Sequence, residues 1–169
     1  MRFFSIIFFP VLFLNLSSCK TQQKASEEKI LLKVDTLDNG SKKLYLLKNK
    51  KLEILEDKGF LSYKIEDDEK TNVLLFVYAI NQDQIAYDGG YKEEIIFEVP
   101  NDTDEKNYTN KELQNTKMLF GRYCFCRGKN GVFKVKQGKI HIKSSKKEIH
   151  FELQFKINEV PQVTENIEF

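Results

Sequence analysis

The sequence has no tryptophan, only two histidines and only three cysteines among 169 residues, and each scarcity excludes something. Sugar-binding platforms favour large aromatic faces, so the missing Trp weakens a glycan site. Neither His141 nor His150 lies near a plausible nucleophile in sequence. There is no Gly-x-Ser-x-Gly, no phosphate-cradling Gly-rich loop before a helix and no His-Glu-x-x-His. A one-sided charge is missing as well: 27 basic residues stand against 25 acidic ones, which leaves no field to attract nucleic acid or an anionic surface. Distant side chains can still assemble a site, so a hydrolase or inhibitor built on dispersed carboxylates stays open.

What is present begins at the N-terminus. Arg2 precedes an apolar stretch from Phe3 to Leu16, broken by Ser5, Pro10 and Asn15. As a helix it would reach about 21 Å, short of the roughly 30 Å hydrocarbon core, so it does not span a bilayer stably. The stretch closes on Leu16-Ser17-Ser18-Cys19, with small residues just before the cysteine. This run resembles the lipobox of bacterial lipoproteins. The resemblance implies cleavage before Cys19, a diacylglycerol on its thiol and a membrane tether through that lipid. It also makes the cysteine count coherent, since Cys124 and Cys126 then remain as a pair in an oxidising compartment.

Removal of residues 1 to 18 would leave 151 of 169, a comfortable length for one domain. Residues 20 to 29 hold one Ala and otherwise polar or charged side chains, so they read as a flexible tether. With residues 1 to 19 as its motif, the chain is similar to small lipoproteins of the Bacteroidetes type. Surface-exported members carry an acidic cluster directly after the cysteine, whereas here the first acidic residues are Glu27 and Glu28. Lys20 stands where aspartate would retain some lipoproteins at the inner membrane. The resemblance therefore implies the outer membrane, facing the periplasm, with the cell surface as the alternative.

From residue 30 the pattern is short β-rich runs separated by turn signals, without a sustained 3.6-residue period. Predicted strands are 30–34, 44–47, 52–55, 60–65, 73–80, 91–99, 118–126, 132–135, 139–142, 149–157 and 163–169. A helix over 42–56 competes, but Asn49 and absent caps weigh against it. Asn39-Gly40 is expected to supply the positive φ of a tight turn. Val73 to Ile80 is apolar enough for burial on both faces. Residues 101 to 115 read as a polar connection in which Thr109 or Asn110 is placed to cap one helical turn. Strict alternation points Ile149, Phe151, Leu153, Phe155 and Ile157 inward and His150 outward. The fold class is all-β, an antiparallel β-sandwich, with a small β-barrel as the alternative.

Few constellations invite chemistry. Cys124 and Cys126, two apart on a strand, point the same way. If a short turn follows, they share the face of Phe133 and Val135 and read as core thiols, with a mutual disulfide as the alternative. A metal there needs a third ligand, which the outward histidines do not provide. Asp102-Thr103-Asp104-Glu105 starts like a calcium loop and then fails, with Lys106, Asn107 and Leu113 at ligand, glycine and closing positions. Glu66-Asp67-Asp68-Glu69 reads as an exposed turn. Asp35-Thr36-Leu37 matches a three-residue O-glycosylation pattern. The expected binding surface is the loop bearing Gln82, Asp83, Gln84, Tyr87, Asp88 and Tyr91, where Gly89-Gly90 permits close backbone approach. No metal and no cofactor is expected. The leading expectation is a non-enzymatic envelope module that binds a protein or glycan; the others are a tethered hydrolase or inhibitor, and a structural subunit of an envelope complex.

Overall fold

The computed structural model describes residues 29–80, 90–101, 105–145 and 148–169. Twelve strands lie in them: β1 Lys29–Leu37, β2 Gly40–Leu47, β3 Lys50–Asp57, β4 Phe60–Asp67, β5 Thr71–Ile80, β6 Tyr91–Pro100, β7 Glu105–Thr109, β8 Leu119–Tyr123, β9 Gly131–Lys134, β10 Gln137–Ser144, β11 Ile149–Lys156 and β12 Asn166–Glu168. A 3₁₀ helix, Asn110–Thr116, with Thr109 as its N-cap, joins β7 to β8. Strand order is β1-β2-β5-β6-β8-β9 in one sheet, β12-β11-β10-β7 in a second, and β3-β4 in a separate hairpin. Every pairing is antiparallel. The two large sheets face each other as a sandwich, and neither closes on itself into a barrel.

Alternation explains the layers. One face of the six-stranded sheet contributes Leu44, Leu74, Phe76, Ile95, Phe97 and Phe120, and the four-stranded sheet meets it with Ile140, Ile142, Phe151, Leu153 and Phe155. Aromatic pairs cross the gap, with ring centroids 5.3 Å apart for Phe97 and Phe151 and 5.9 Å for Phe120 and Phe155. The reverse face carries Leu47, Val73, Leu75, Ile96 and Leu119, which the β3-β4 hairpin covers with Leu52. A lone hairpin is marginal in water, but burying this second cluster contributes on the order of 10 kcal/mol before chain entropy is counted. That is why β5 is buried on both faces, as its apolar run predicts.

Register gives the sandwich two distinct ends. Lys29 pairs with Leu47, Leu47 with Val73 and Val73 with Glu98, so the described chain enters at one end. Leu37 pairs with Gly40, Gly40 with Ile80, Ile80 with Tyr91, and Lys92 with Tyr123, which defines the other. The separation along β1 is roughly 26 Å at the usual strand rise.

Several expectations change. Residues 42–56 form β2 and β3, not a helix. β7 arises within the polar connection, because Tyr108 reaches the core and the other side chains stay in water. The strand predicted over 118–126 ends at Tyr123, and that over 163–169 shrinks to β12. The β1-β2 turn has Asp38 and Asn39 between its paired ends, and neither has positive φ. Gly40 serves close packing instead, since a Cβ there would run into the Ala79 carbonyl oxygen. Left-handed backbone occurs at Asn49 and at Lys58-Gly59 in the next two turns.

Gly138 combines a φ of 130° with a Cβ direction that meets the backbone of Gln154 and Phe155. Gly138→Ala is therefore expected to cost about 2–4 kcal/mol, read as a lower urea midpoint at unchanged slope. Gly90→Ala, into open space, is expected to stay within about 0.5 kcal/mol. Equal midpoints for the two variants would contradict this packing.

Candidate functional site

At the end away from Lys29 the sheet buries polar groups that the sequence gives no local reason to bury. Glu93 sits in β6 with 0% exposure. Its carboxylate accepts the backbone N–H of Val163 at 2.6 Å and of Thr164 at 2.8 Å, and the hydroxyl of Tyr91 donates to it as well. Those bonds satisfy a group whose unpaired burial would cost several kcal/mol. They also tie the segment before β12 to the six-stranded sheet.

Tyr91 extends the chain of contacts. Arg122, in β8 and directly opposite Glu93 in register, donates from Nε to the Tyr91 hydroxyl at 3.3 Å and holds its guanidinium 5.1 Å from the Tyr91 ring centroid. Its Nη1 donates to the Lys129 carbonyl oxygen and contacts Cys124 Sγ at 3.0 Å. Cys124 and Cys126 are joined as a disulfide. The expectation of core thiols beside Phe133 and Val135 is thereby corrected. β8 stops before the pair, Phe133 lies opposite Phe120, and the loop from Tyr123 to Asn130 bends out of the sheet, leaving both cysteines only half-buried.

Two features chosen separately from the sequence, Tyr91 and the cysteine pair, are thus brought together through Arg122. Gln82, Asp83, Gln84, Tyr87 and Asp88 lie outside the described residues, as do Cys19 and Asp102 to Asp104. Thr36 is exposed on β1. Asp68 accepts the Thr71 hydroxyl at 2.6 Å, which holds its carboxyl below the usual range, and Lys50 pairs with Asp67 at 2.6 Å, as befits a turn. Sequence reasoning missed Glu93, Glu98, Lys117 and Arg122. The available signal was three carboxylates, Glu93, Glu94 and Glu98, set around the apolar run Ile95-Ile96-Phe97, since buried charges need partners. Glu98 accepts the Leu52 N–H at 2.5 Å and the Lys117 ammonium at 2.8 Å, which clamps the hairpin to the sheet.

Large apolar side chains are displayed outside the core. Phe125, in the loop after β8, is 84% exposed and Phe60, at the β3-β4 tip beside β9, 79%; Val163 is exposed too. A groove of about 450 Å³ runs between Phe60, Gly128, Asn130, Val132 and Phe133. Lys134 and Lys136 line it together with Glu56 and Glu159, so its lining carries two charges of each sign.

The outer face of the four-stranded sheet is also hollow, about 550 Å³. Asn107, His141, Glu152 and Glu168 line up across its four strands. His141 bonds Asn107 at 2.8 Å, and both glutamates are exposed, the composition of a solvated sheet face. Among the described residues no three His, Cys, Asp or Glu side chains are grouped to hold a metal ion. Comparison with protein-family models, with curated proteins and with solved structures finds no match to this chain.

Burial, and next the bond to Glu93, pushes the Tyr91 hydroxyl up to about 12 against the lowering pull of Arg122. Burial and then the Glu94 charge raise Tyr123 as well. Since the folded value of Tyr91 lies above its ordinary 10.0, the folded state keeps a proton that the unfolded chain releases. That stabilisation is intact below the ordinary value and is lost as pH rises toward the folded one. Between those two values, tyrosinate absorbance should be lower in native than in urea-unfolded protein, and Tyr91→Phe should narrow the gap by one tyrosine. An unchanged gap in Tyr91→Phe would contradict the burial.

Proposed function

We propose that this chain is a lipid-tethered, non-catalytic binding module of the bacterial envelope, anchored through Cys19 at the outer membrane and facing the periplasm. It engages an envelope protein through its exposed phenylalanines, Phe60 and Phe125. The observation that carries this reading is the exposure of two large aromatic side chains, Phe60 beside a groove lined by charges of both signs and Phe125 in the loop between β8 and β9. Two solvent-exposed phenylalanines at loop tips are costly to leave in water, and aromatic anchors within a charged rim are what protein interfaces use. A protein fits better than a glycan, because Phe offers hydroxyl groups no hydrogen bond and the chain has no Trp.

Photo-crosslinking in intact cells tests this, with the reactive side chain at Phe125, Phe60 or, as control, Glu168. The expected result is one discrete protein adduct from the first two positions and none from the third. Cys19→Ala should abolish both fatty-acid labelling and the adduct. Indiscriminate adducts from all three positions, or equal labelling of Cys19→Ala, would overturn the proposal.

A further inference from the structure

The Cys124–Cys126 bridge closes the loop between β8 and β9 across a sequence separation of two. Cross-links stabilise chiefly by restricting the unfolded chain, and the effect shrinks with the loop enclosed, so this bridge is among the least useful as a staple. Its surroundings suit chemistry better. Both cysteines are half-buried rather than sealed, and Phe125 between them stands in solvent. Arg122 contacts one sulfur only, Cys124 Sγ at 3.0 Å. Its guanidinium is fixed from three further directions, by the Tyr91 hydroxyl, the Tyr91 ring and the Lys129 carbonyl. A buried cation immobilised against one of two bonded sulfurs makes the pair unequal.

We infer that Cys124–Cys126 is a thiol–disulfide exchange site that takes a cysteine pair of a partner polypeptide as its substrate. A cation stabilises a thiolate, and the sulfur that better carries negative charge leaves faster. The partner's first thiolate attacks Cys126 Sγ. An S–S bond forms between them, the Cys124–Cys126 bond breaks, and its electron pair departs on Cys124 Sγ against Arg122. The partner's second thiolate then attacks the partner sulfur of this mixed disulfide and expels Cys126 as a thiolate. The partner loses two electrons and becomes a disulfide; the Cys124 and Cys126 pair gains them and takes up the two protons the partner thiols release. Run backward, the same steps reduce a partner disulfide. Phe125 supplies an apolar contact for the polypeptide. The inference rests on this loop alone and stands whether or not the groove beside Phe60 docks a protein.

The test uses the full chain in detergent. The folded, oxidised protein is incubated with a peptide carrying two cysteines, and products are trapped by acid and weighed. The expected result is oxidation of one peptide equivalent per chain, with the transient mixed disulfide on Cys126. In parallel, alkylation of the remaining cysteine of the pair, read by mass on the peptide that carries it, is followed against pH in Cys126→Ala and in Cys124→Ala. Cys124 should ionise about one pH unit below Cys126, a roughly tenfold larger thiolate fraction at mildly acidic pH. Arg122→Gln should erase that difference, and the two cysteine variants carry the comparison if it does not fold. A bridge that leaves the peptide reduced, or equal ionisation of the two thiols, would overturn the inference.

Discussion

The carboxylate of Glu93 is the constraint on which this molecule turns. A charge-bearing group with no exposure can persist only when its oxygens are fully engaged, and here the donors come from both halves of the fold. Val163 and Thr164 belong to the segment leading into the four-stranded sheet, whereas Tyr91 belongs to the six-stranded one. Removing the acceptor would orphan two backbone amides, at about 1–3 kcal/mol for each that stays buried. The hydrophobic sandwich holds the sheets face to face; Glu93 fixes how their far ends meet.

From that point the arrangement propagates outward. Tyr91, held by Glu93, presents its ring and hydroxyl to Arg122, and Arg122 in turn fixes the Lys129 carbonyl and faces Cys124. A loop that would otherwise be a loose excursion between β8 and β9 is thereby pinned at both limbs. Glu98 performs the corresponding task at the other end, where it and Lys117 secure the β3-β4 hairpin through Leu52. Two buried glutamates on one strand, five residues apart and so on opposite faces, each anchor a different neighbouring layer.

Much of the fold was legible because alternation is a local property. β11, with Ile149, Phe151, Leu153 and Phe155 inward and His150 out, follows from period two alone, and β5 from its unbroken apolar run. β7 was hidden because only Tyr108 among its five residues turns inward. The third layer was hidden too: hairpin spacing forecasts β3 and β4, but nothing local says they leave the sheet and fold over it. The site was harder still. Tyr91 and the cysteine pair drew notice by composition, but the residue joining them, Arg122, reads as an ordinary charge in a strand. Only the β6-β8 register, which sets Arg122 opposite Glu93, gives it a role.

Amide hydrogen exchange addresses the Glu93 anchor most directly. Val163 and Thr164 lie outside any strand ladder, so without a side-chain acceptor their amides would exchange as loop amides do. If Glu93 binds them, both should be as protected as neighbouring β11 amides, and Glu93→Ala should remove that protection together with order in residues 124–130. Fast exchange at Val163 and Thr164 in the unaltered protein, or protection that survives Glu93→Ala, would contradict the account.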